Sequence, residues 1–151
     1  MSTTARLSPR LERVVDAVPL RPGLRVLEIG CGPGSAAREM ASRVAPGGTV
    51  LGIDRSATAI DIAIAGSAEL IGSGVLDFRC AAIEDFALSA DEPPFDLAVA
   101  VRVGALDGRH PEIFHDALRR ISAALTTDGR LWIDAPAGSD KAIVELTLGP
   151  R

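Results

Sequence analysis

The chain has 151 residues, is 47% hydrophobic and carries a formal net charge of -4, with a pI near 5.1. That length suits one domain, residues 1–151, with a sizeable core, and leaves no room for two ordinary ones. The acidic balance and the few aromatic residues (3%) argue against nucleic acid or an anionic membrane surface, which are gripped by clustered cations and stacking rings.

Charged residues interrupt every apolar stretch, so no membrane span is expected. The segment from Met1 to Arg10 lacks the apolar core of a signal peptide. Together with only two cysteines, Cys31 and Cys80, this predicts a reducing, cytoplasmic setting with free thiols. Two cysteines alone do not frame a zinc site, and no metal is expected.

In chain order, Ser8 and Pro9 open a predicted helix whose Leu11, Val14, Val15 and Val18 share one face, ending before Pro19. Arg25 to Ile29 reads as a buried strand, followed by a helix from Ser35 to Val44 and a Pro46-Gly47-Gly48 turn. Thr49 to Ile53 is a second strand, ending in Asp54. Ser56 then caps a helix predicted to run to about Ile71, with Ile60 and Ile64 inward. Leu76 to Cys80 alternates like an edge strand with one exposed face.

Phe95 to Val101 is an apolar run of the sort buried on both faces in a parallel sheet, and is expected at its centre. A helix from Pro111 to Leu125 presents Ile113, Ala117 and Ile121 inward. It ends at the turn Thr127-Asp128-Gly129, before a fifth strand, Arg130 to Asp134. After it, Ser139-Asp140 could cap a short helix, whereas Val144 to Leu148 alternates like a strand; periodicity leaves both open. Alternating strands and helices make this an α/β chain with a doubly wound, mostly parallel sheet.

The most informative segment is Val26-Leu27-Glu28-Ile29-Gly30-Cys31-Gly32-Pro33-Gly34, a strand carrying one acid and running into three alternate glycines. Glycine reaches positive φ cheaply and lets the backbone approach a ligand closely. Twenty residues past Gly34 stands Asp54, whose carboxylate suits the two hydroxyls of a ribose.

These residues, VLEIGCGPG followed by GIDRS, resemble the cofactor-binding motifs of class I S-adenosylmethionine-dependent methyltransferases. Phe95-Asp96-Leu97 and the run Ala124 to Leu131 resemble the start of that family's fourth strand and the turn before its fifth. The resemblance implies a Rossmann-like sheet of order 3-2-1-4-5. It also implies S-adenosyl-L-methionine as cofactor, with S-adenosyl-L-homocysteine as product. Carried over by motif, Glu28, Gly30, Cys31, Gly32 and Gly34 would hold the methionyl end and Asp54 the ribose. Arg55, Ala82 and Ile83 would surround the adenine, and Val101 would also belong to the cofactor site. Where the family often has an acid to bond the adenine amino group, this chain has Ala82. Either Glu84 or Asp85 replaces it, or backbone or water does.

Methyl transfer rests on positioning, and a base is needed only if the acceptor must lose a proton. His110, Asp107 and Arg102 are the catalytic candidates, with Asp134 and Arg109 nearby; histidine is the type that ordinarily titrates near neutrality. His115, inside a helix, reads as structural. The acceptor expected is a small molecule. The sequence after Asp134 is short for the family's helix and antiparallel hairpin, so the hairpin is expected to be absent or incomplete. A homodimer would then cover the edge of strand five. A non-catalytic binding or interaction protein on a shortened methyltransferase fold is the alternative. A nicotinamide-dependent oxidoreductase is disfavoured by Glu28 and by Ser35, which stands where its third glycine belongs.

Overall fold

The computed structural model describes residues 7–149; the first six residues, part of the segment read above as lacking a signal core, lie outside it, as do the last two. A six-stranded sheet forms its centre. The strands are β1 (Arg25–Ile29), β2 (Thr49–Asp54), β3 (Leu76–Cys80), β4 (Phe95–Ala100), β5 (Leu125–Asp134) and β6 (Ile143–Leu146), arranged β3-β2-β1-β4-β5-β6. All pairings are parallel except β5 with β6. Helices α1 (Pro9–Ala17), α2 (Ser35–Val44), α3 (Ala57–Ala65), α4 (Ala68–Gly72) and α5 (Phe114–Ala124) complete the order expected of a doubly wound, Rossmann-like fold.

Alternation along β1 divides the core. Val26 belongs to the cluster formed with α1 and α2, through Val14, Val15, Ala37, Met40 and Val44. Leu27 and Ile29 belong to the cluster on the other face, with Phe95, Ala98, Ala117, Ile121 and Leu131. Period-two side chains on a strand covered on both faces produce this division, and β4, lying between β1 and β5, is buried at every position but Asp96. The first helix forms as its sequence dictates: Ser8 Oγ accepts the Leu11 N–H at 3.2 Å, and Val14, Val15 and Val18 are buried.

Three sequence expectations are corrected. The helix expected to run to Ile71 breaks at Gly66 and Ser67 into α3 and α4. There the buried Ser67 Oγ accepts a hydrogen bond from Arg38 of α2 (3.1 Å), a long-range tie that helical periodicity does not encode. The helix expected from Pro111 begins as a 3-10 turn over Pro111–Ile113 and ends at Ala124. Leu125 already pairs with Phe95, and the register then jumps to Leu97 with Arg130, so the Thr127-Asp128-Gly129 turn is a bulge inside β5.

The third correction concerns the C-terminus, where the segment left open between helix and strand forms β6, antiparallel to β5. One strand of the hairpin expected to be absent or incomplete is therefore present, and β5 is not an edge. The sheet edges are β3 and β6, which removes the reason given for a second subunit over strand five.

Packing beneath the glycine segment is tight. A Cβ at Gly52 would lie 2.9 Å from the Phe78 ring and 3.0 Å from Cys31 Cβ. Gly52→Ala is therefore expected to cost about 1–3 kcal/mol by overpacking. Adding Phe78→Leu should recover part of that loss, because the two positions share one space. Urea denaturation of the single and double variants checks both statements.

Candidate functional site

The turn joining β1 to α2 is built on the end of β2. Ile53 C=O accepts the N–H groups of both Gly30 (2.8 Å) and Cys31 (3.0 Å). Asp54 Oδ2 accepts the Gly32 N–H at 2.9 Å, while its Oδ1 accepts that of Ser56 at 2.9 Å. Gly30, Gly32 and Gly34 all have positive φ (73°, 52° and 91°). At Gly34 the requirement is double. Its φ is left-handed, and a Cβ would meet Phe78, Arg38 and Ala63 at 2.9–3.1 Å.

Under this turn lies Glu28, 4% exposed, with Oε1 lacking any hydrogen-bond partner. Burial, followed by repulsion from Asp54, pushes its carboxyl up to about 8, partly opposed by the Arg38 guanidinium. Arg38 itself donates to Pro33 C=O and Ser67 Oγ, both at 3.1 Å. Cys31 is buried, and burial together with the Glu28 and Asp54 charges pushes its thiol upward. A thiol held neutral in this way is no nucleophile.

A cleft of about 300 Å³ opens beside the turn, at the carboxyl ends of the strands. Of the residues expected around a cofactor, Gly30, Asp54, Arg55, Ala82 and Ile83 line it. Glu28, Cys31, Gly32 and Gly34 do not: Glu28 and Cys31 are buried, and Gly32 and Gly34 lie farther along the turn. Val101 is displaced from its expected place: it packs, half-buried, against the core, and Val103 faces the cleft instead.

Of the two acids weighed as replacements at the Ala82 position, Glu84 lines the cleft, and its carboxylate is ion-paired with Arg55 at 3.5 Å; Asp85 is exposed away from it. Sequence reasoning missed Arg38 and Val103. Arg38 carried one readable signal, a cation in the first turn of the helix that follows the glycines.

The catalytic candidates separate. His110 lines the cleft, its backbone N–H donates to Gly104 C=O at 3.0 Å, and its Nδ1 lies 3.5 Å from Glu112 Oε1. Asp107 lies outside the cleft. The hydrogen-bonded Arg109 guanidinium, 2.8 Å away, holds its carboxyl below the ordinary range, so it is a poor base. Arg102 reaches the cleft from an unusual backbone conformation, φ 56°. His115 is exposed on α5 and meets Phe114 edge-on.

The residues present fit the cofactor that the sequence resemblance implies. A buried carboxylate with an unsatisfied oxygen suits an ammonium group. A half-buried carboxylate at the end of β2 suits ribose hydroxyls, and small or apolar residues at 81–83 suit a flat base. Comparison with known proteins decides the family: residues 20–147 match the family described as "Methyltransferase domain". The chain belongs to the class I S-adenosylmethionine-dependent methyltransferases.

It is 34% identical over 142 residues to a nocamycin O-methyltransferase of Saccharothrix syringae, covering 94% of this chain and 48% of that one. It is 31% identical over 116 residues to a probable cobalt-precorrin-6B C(15)-methyltransferase (decarboxylating) of Thermoplasma acidophilum, covering 77% and 52%. Among solved structures, a TehB-like SAM-dependent methyltransferase from Corynebacterium glutamicum is 28% identical, with a TM-score of 0.63 over 85% of this chain and 63% of that one. The chain thus spans about half the length of these two curated relatives. No helix among the described residues is long and apolar enough to cross a membrane.

The raised Glu28 carboxyl makes stability depend on pH. Between its ordinary value of 4.5 and about 8 the folded chain keeps a proton that the unfolded chain has lost, so stability falls as pH rises through that window and levels off above it. Glu28→Gln removes the effect. The variant is expected to match the wild type near pH 4.5 and to exceed it by on the order of a few kcal/mol above pH 8. Thermal denaturation of both proteins across that range reads the difference.

Proposed function

We propose that this methyltransferase domain transfers the methyl group of S-adenosylmethionine to a small-molecule acceptor by in-line displacement. The observation carrying the proposal is the glycine turn clamped over two carboxylates, Glu28 beneath it and Asp54 at its side. When bound, the cofactor supplies an electrophilic methyl group on a sulfonium.

The chain's residues bind and orient. The Asp54 carboxylate would accept hydrogen bonds from the ribose hydroxyls, Glu28 beneath the turn would offset the charge of the methionyl ammonium, and Ala82 and Ile83, with Arg55 beside them, would flank the adenine. Alignment of acceptor and methyl group can remove roughly 7–11 kcal/mol from the barrier. If the acceptor loses a proton, His110, which lines the cleft, is the candidate base; Asp107 lies outside it and is engaged by Arg109. The O-methyltransferase relative supports a small-molecule acceptor.

One observation favours the second reading, a cofactor-binding protein without catalysis: Ala82 contributes no acid for the adenine, and the adjacent Glu84 is committed to Arg55. Calorimetric titration with S-adenosylmethionine and S-adenosylhomocysteine, with NAD as control, tests the site common to both readings. Micromolar binding of the first two and none of NAD is expected. Asp54→Ala should weaken binding about ten- to a hundredfold, the worth of losing charge-assisted hydrogen bonds. Failure to bind either sulfur compound would contradict the proposal, and methyl transfer to any acceptor would exclude the non-catalytic reading.

A further inference from the structure

Next to the cofactor cleft lies a second, larger cavity of about 790 Å³, bounded by the start of α1, the loop after β4 and the segment after β5. The two spaces share Arg102 and Arg109. Four arginines line the larger one, Arg10, Arg13, Arg102 and Arg109, against two acids, Asp107 and Asp134. Both acids are already paired: Arg10 with Asp134 at 3.0 Å and Arg109 with Asp107 at 2.8 Å. Among the described residues, Arg13 and Arg102 have no carboxylate partner, which leaves two uncompensated cations in this cavity of a protein whose net charge is -4.

Arg102 is also the one non-glycine residue with positive φ among those described. Asp134 Oδ1 accepts its N–H at 3.1 Å and Arg109 donates to its carbonyl at 2.6 Å, so that the surrounding ion pairs hold an unfavourable backbone. Strain persists where neighbours over-determine it, and it concentrates at ligand sites. The rest of the wall includes the apolar Val14, Leu106, Ile133 and Val144.

We infer that this cavity is the acceptor subsite and that it selects a small acid: an apolar body carrying a carboxylate or similarly planar oxyanion, paired by Arg102 and Arg13. Guanidinium matches planar oxyanions through parallel N–H donors, and an apolar wall accommodates the remainder of such a molecule. The inference rests on the methyltransferase reading for the word acceptor. The anion selectivity rests on the cavity alone.

The test is equilibrium binding to the 151-residue chain, with and without S-adenosylhomocysteine, of matched carboxylate and primary amide pairs: octanoate and octanamide, benzoate and benzamide, 2-naphthoate and 2-naphthamide. At least one carboxylate is expected to bind about tenfold or more tightly than its amide. Arg102→Asn, chosen because asparagine tolerates left-handed backbone, and Arg13→Gln, on an exposed helix face, should each erode that preference, and Arg13→Gln, outside the cofactor cleft, should do so without changing S-adenosylhomocysteine affinity. Arg21→Gln, on an exposed segment outside both cavities, should leave it intact.

Absence of carboxylate binding at millimolar concentration, equal binding of acid and amide, or a preference surviving both substitutions would overturn the inference. A carboxylate preference without S-adenosylhomocysteine binding would instead uphold the anion site and sink the methyltransferase reading.

Discussion

The glycine turn cannot hold its own shape, and the site depends on what anchors it. Three N–H groups in succession, those of Gly30, Cys31 and Gly32, end on β2, two at Ile53 C=O and one at the Asp54 carboxylate. The parallel pairing of β1 with β2 brings those acceptors alongside, and Gly52 and Gly34 leave room for the Phe78 ring that fills the space behind the turn. Backbone donors, strand register and core packing are therefore one construction. Disturbing β2 disturbs the turn as surely as replacing one of its glycines.

That construction has an electrostatic cost. Placing Glu28 under the turn and Asp54 at its side brings two carboxylates close together in a poorly solvated space, and the Arg38 charge offsets only part of the repulsion. Burial of an acid with an unpaired oxygen is destabilising, and a domain stable by only 5–15 kcal/mol overall retains such a group where a ligand makes use of it. A cationic cofactor end is the chemistry that satisfies it. Farther along the same edge of the sheet the neighbouring cavity carries an excess of cations, with Arg13 and Arg102 unmatched by any carboxylate among the described residues.

Much of this was legible in the sequence because it is local. The strand-turn-helix around the glycines, the acid at Glu28 and the strand ending at Asp54 are each contiguous, and period-two and helical patterning located the five parallel strands and most of the helices. The Ser67 break, the bulge in β5 and the Arg10–Asp134 pair were not legible, since each depends on partners far apart in the chain that meet only after folding. β6 has four residues, too few for periodicity to separate strand from helix, and its pairing with β5 decided the matter. Val103 was missed in favour of Val101 because the backbone turns at Arg102, and a left-handed arginine has no sequence signature.

The central claim, that the clamped turn and its two carboxylates form a nucleoside-cofactor site, is tested most directly by a crystal structure of the chain with S-adenosylhomocysteine. The account predicts the ribose hydroxyls on the Asp54 carboxylate, the adenine against Ala82 and Ile83, and the amino group on the Glu28 side of the turn. Ligand density elsewhere, or a glycine turn that remains empty at saturating ligand, would contradict it.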